Sequence, residues 1–106
     1  MLSRKLVLAV MSVLMLMAGA VQAGGDPAAG AALAVDCADC HGEDGKGDAD
    51  VPALAGLDET YLIEQMRAFK SGERVDENEL MPMYAEDLSE QDMADLAAFY
   101  ISLGAN

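Results

Sequence analysis

The 106 residues contain two cysteines and one histidine, and all three stand together as Cys37-Ala38-Asp39-Cys40-His41. This is one C-x-x-C-H, the attachment signal for c-type haem. Two thiols can add across two vinyl groups, and a histidine directly after the second cysteine is placed to face the iron as its proximal ligand. A chain bearing this signal must wrap a large, flat, apolar disc that is bonded to it. The other use of two cysteines at this spacing is a thioredoxin-like disulfide, which needs a βαβ setting. No strand-like alternation of apolar and polar residues is present to supply one.

The first 23 residues read as a removable leader. Arg4 and Lys5 precede a 15-residue apolar run, Leu6 to Ala20, and Val21-Gln22-Ala23 puts small residues at −3 and −1 of a cleavage site before Gly24. Fifteen apolar residues fall short of the ~20 that a helix needs to span a bilayer. The expectation is a signal peptide over 1–23, a single domain over 24–106, and export to the periplasm with no stable membrane span after cleavage. A domain of that size has a thin core and needs a staple, which a buried macrocycle supplies.

All 19 acidic residues lie after Ala23, where only Lys46, Arg67, Lys70 and Arg74 oppose them, a net charge of −15. Such a surface repels phosphate and excludes nucleic acid as a partner. It suits a redox protein with a basic docking surface, or simple solvation in a salty habitat.

Helical signals dominate. Asp26 and Pro27 are a cap and first residue for a small-residue helix to about Asp36, with Gly30 inside it at a cost of ~1 kcal/mol. Asp58 caps an amphipathic helix through Lys70, with Leu62, Met66 and Phe69 on one stripe. Ser89 and Asp92 resemble a capping box opening a last helix to Leu103, with Gly104 after it as a cap. The stretches 42–56 and 73–86 read as loops. The fold class is therefore all-α: three main helices and long wrapping loops.

Function turns on the iron's sixth position. With no second histidine, methionine is the expected ligand. Met66 and Met93 lie on apolar helical stripes and read as core filler. Met81 and Met83 lie in a loop long enough to cross to the far face, and Pro82 stiffens the approach to Met81. An open distal site would suit a peroxidase or a ligand sensor, with Arg67 or Arg74 as the only conceivable distal groups.

These residues resemble the class I c-type cytochromes, the small bacterial monohaem kind, and within it one half of the dihaem c-four type. The resemblance is carried by Gly30 seven before Cys37, CADCHG at 37–42, VPALAG at 51–56, YLIEQMRAFKSGER at 61–74 and MPMYAEDLSEQDMADLAAFY at 81–100. It implies a cytochrome c-like fold around one covalent haem c and one-electron transfer between respiratory partners rather than catalysis. It also implies an axial methionine eight residues before the serine of the last helix, which is Met81 and not Met83. A proline carbonyl, here that of Pro52, would accept from the histidine Nδ1–H. Gly30 and Tyr100 would mark the crossing of first and last helices. A dedicated electron-entry subunit of one redox enzyme is the remaining alternative.

Overall fold

A computed structural model describes residues 24–104. The proposed leader, residues 1–23, lies outside the described residues, as do the last two. Among the described residues there are five helices and no strand: α1 (Pro27–Leu33), α2 (Val35–His41), α3 (Glu59–Ser71), α4 (Leu80–Ala85) and α5 (Glu90–Gly104). None is long and apolar enough to cross a membrane.

The caps follow side-chain chemistry. Asp26 accepts from Ala28 N–H at 3.0 Å and Asp58 from Tyr61 N–H at 3.2 Å. Ser89 and Asp92 exchange two hydrogen bonds, the Asp92 N–H donating to Ser89 Oγ at 3.0 Å and the Ser89 N–H to Asp92 Oδ2 at 2.9 Å. Each satisfies amide donors that a helix start leaves without partners.

Two segments differ from expectation. The first helix does not end before Cys37. It is interrupted at Ala34 and resumes as α2, so Cys37 is inside a helix rather than at its exit. The Ala38 N–H donates to Ala34 carbonyl and the Gly42 N–H to Ala38 carbonyl, carrying helical bonding through the whole motif. The stretch 73–86, read as a loop, also contains α4. Pro82 is the third helical residue, where no intrahelical donor is required, so its missing N–H costs nothing. The side chain of Asp76 caps this turn, accepting from Leu80 N–H at 3.3 Å and Met81 N–H at 3.1 Å. The last helix also runs one residue further than expected, through Gly104.

The core is built where α1 and α3 pack on α5. Ala34, Leu62, Leu96, Ala97 and Tyr100 form its buried centre, with Cys37, Met66 and Leu54 packed against it. Met93, 1 % exposed, is core filler as its stripe position suggested. Gly30 lets α1 and α5 touch: a Cβ there would lie 2.0 Å from the Asp95 carbonyl oxygen. The atoms nearest that point belong to Asp95 and Phe99, so Gly30 stands at the crossing of first and last helices, on the stretch of α5 that runs into Tyr100. Tyr100 packs against Gly45. Because α2 follows α1 directly, this crossing fixes where the C-x-x-C-H is held.

Candidate haem attachment site

On α2, Cys37 and Cys40 are three apart and His41 follows Cys37 by four, spacings that bring side chains to one helical face. Both thiols are free; Cys37 is half-buried and Cys40 exposed. The helical setting and unjoined sulfurs differ from a disulfide site. Burial is the main cause that pushes the Cys37 thiol above the ordinary thiol range.

His41 is buried, and its Nδ1 lies 2.8 Å from the Pro52 carbonyl oxygen. A carbonyl can only accept, so Nδ1 carries the proton and donates. The neutral ring then has its lone pair on Nε2, the atom a metal would take. A donor to a carbonyl behind a ligating imidazole also orients the ring and raises its basicity.

The loop after α2 is folded to hold that carbonyl. The Gly47 N–H donates to His41 carbonyl at 2.7 Å, and Leu54 and Ala55 N–H donate to Gly45 carbonyl at 2.7 and 2.9 Å. Asp48 Oδ1 accepts from Asp50 N–H at 2.8 Å and Val51 N–H at 2.9 Å, and these two bonds hold its carboxyl below the usual range. Gly47 sits at φ +64°, and a Cβ there would lie 2.1 Å from Val51 carbonyl oxygen and 2.7 Å from that of Pro52. Only glycine serves both demands. The glycines of this segment were legible as loop formers; the Asp48 turn that carries Pro52 to His41 was not.

Met81 is half-buried, whereas Met83 is 56 % exposed. Two residues apart on a helix, they differ by about 200° in direction, so both cannot face one target. Arg67 is held by Glu90 at 2.7 Å, and the Arg74 guanidinium lies 4.6 Å over the Phe69 ring with Nη1 donating to Gln65 Oε1 at 2.6 Å. Both conceivable distal arginines are thus engaged on exposed surface. A hollow of about 360 Å³ beside the motif is lined by Ala38, Asp39, Gly42, Phe99 and Tyr100 among others, and by none of Cys37, Cys40, His41 or Met81.

The donor set fits the group the motif implies: two unjoined thiols, a buried imidazole with its free nitrogen on Nε2, and a half-buried thioether on a capped turn. The cytochrome c family model matches residues 27–103. The chain is 45 % identical to cytochrome c4 of Pseudomonas aeruginosa over 85 residues, covering 79 % of this chain and 41 % of that protein. It is 44 % identical to cytochrome c-554(548) of Halomonas halodenitrificans over 80 residues, covering 74 % of this chain and 96 % of the relative. The solved cytochrome c4 of Acidithiobacillus ferrooxidans superposes with a TM-score of 0.57 at 37 % identity, over 66 % of this chain and 38 % of that one. The chain therefore spans about two-fifths of the cytochrome c4 relatives and nearly the full length of the shorter one. It belongs to the cytochrome c family, all-α proteins that carry covalently bound haem c.

Proposed function

We propose that the protein is a periplasmic one-electron carrier whose haem c is bonded at Cys37 and Cys40 and held between His41 and Met81. The observation that carries this reading is the hydrogen bond from His41 Nδ1 to the Pro52 carbonyl, which reserves Nε2 for the metal. Haem c supplies the one-electron couple when bound. The chain's residues keep that couple still and closed to small molecules. His41 is fixed by Pro52, Met81 by the Asp76 cap, and Cys37 by the core. A thioether opposite an imidazole raises the potential relative to two histidines.

Partners are redox proteins with a basic face, matched to the −15 of residues 24–106. Val75, Leu80, Met83 and Tyr84 are exposed on the segment that carries Met81, apolar side chains in a strongly acidic chain. That run also favours a second reading, a subunit held on one enzyme, which lasting co-purification would reveal. The peroxidase reading loses its distal groups, since both arginines are otherwise engaged.

The test is the absorption spectrum of the exported protein with its mass. A chain beginning at Gly24 with one haem, and a far-red sulfur-to-iron band lost in Met81→Ala but kept in Met83→Ala, is expected. A high-spin ferric spectrum in the wild type would overturn the ligand assignment.

A further inference from the structure

Tyr100 is 3 % exposed, and its hydroxyl is the one fully buried side-chain polar atom among the described residues without a hydrogen-bond partner. The ring cannot easily turn away. It meets Phe99 edge-on at 5.1 Å between centroids, and Gly45 lies so close on another side that a Cβ added there would be 2.8 Å from the ring's Cδ1. Cys37 packs against the cluster that contains Tyr100, and its thiol is the neighbouring group that acts on this hydroxyl. Cys40, by contrast, is exposed.

A thiol and a phenol can each donate weakly to the other, so in the thiol state the direction is undefined. A thioether has no proton and can only accept. Burial first, with Cys37 beside it, holds the phenol protonated well above neutral pH, so an O–H is present to donate.

We propose that Tyr100 is a positioning residue for the haem bond at Cys37: its hydroxyl donates an O–H···S hydrogen bond to the thioether sulfur, so the two attachment points are electronically different. The inference rests on attachment at Cys37 and Cys40. Among the described residues no hydrogen-bond donor serves Cys40, which is exposed.

Resonance Raman of the mature holoprotein tests this, because the two C–S stretches are read separately from folding. In wild type, one stretch shifts on transfer to D₂O. In Tyr100→Phe, which keeps the ring and its packing, that stretch moves and loses its D₂O sensitivity while the other is unchanged. Identical C–S bands in the two proteins, or no D₂O shift in wild type, would overturn the proposal; the wild-type measurement stands even if the variant does not fold. Peptide mass mapping separates the failures: haem absent from Cys37 removes the attachment reading and this bond with it, whereas haem present with invariant bands removes the hydrogen bond alone.

Discussion

Protonation of one ring nitrogen decides what His41 can do, and a backbone oxygen controls it. Because the acceptor is the carbonyl of Pro52 and not a side chain, Pro52→Ala should retain the hydrogen bond. The expected loss is about 0.4–1 kcal/mol, from the freer unfolded chain, with the reduction potential held; voltammetry beside chemical denaturation checks both. Gly47→Ala should do the opposite, pushing Val51 and Pro52 away from His41 and moving the potential. Asp95 is a second residue whose charge matters. It is 7 % exposed, and its Oδ1 accepts from Asp26 N–H at 2.8 Å and Gln91 Nε2 at 2.9 Å. The first of these bonds is the larger cause holding its carboxyl below the ordinary value of ~3.9. A depressed folded value contributes stability above the ordinary value, lost as pH falls through the folded one. Thermal melts below about pH 4 should therefore show a shallower acid slope in Asp95→Asn than in wild type.

Elements set the distances among these residues. The α1–α5 crossing works because Gly30 has no side chain to hold the backbones apart. Gly30→Val would place atoms on the Asp95 carbonyl and should cost about 1–3 kcal/mol or more, read as a lower denaturation midpoint with an unchanged slope. Leu96→Ala, in the buried centre of α5, should cost about 2–5 kcal/mol by leaving a cavity. The short α4 depends on one carboxylate. Asp76→Ala removes a cap worth roughly 0.5–2 kcal/mol, and the Met81 ligand band should weaken before the protein unfolds.

At the scale of the whole molecule, charge is the largest unbalanced term. Among the described residues the one ion pair is Arg67–Glu90, on exposed surface, where such a pair is worth little. Self-repulsion should therefore respond to salt. The screening length falls from about 30 Å at 0.01 M to ~8 Å at 0.15 M. Over that range the melting temperature should rise while the association rate with a basic redox partner falls. Stopped-flow electron transfer and calorimetry along one salt series test the two signs together.

The covalent chemistry was legible in the chain alone, because C-x-x-C-H uses local spacing and the only residues of their kinds. So were the helical stripes and three side-chain caps, which depend on neighbours three or four positions away. The tertiary structure decided what spans longer separations. It formed the Asp48 turn that carries Pro52 to His41, packed Cys37 against the cluster that holds Tyr100, and tied Asp95 to the residue before α1. It also made a helix of 80–85, because Asp76 offered a cap that no periodicity announced. Local patterns name the groups a chain possesses, but only packing decides which nitrogen keeps its proton and which sulfur is sheltered from water.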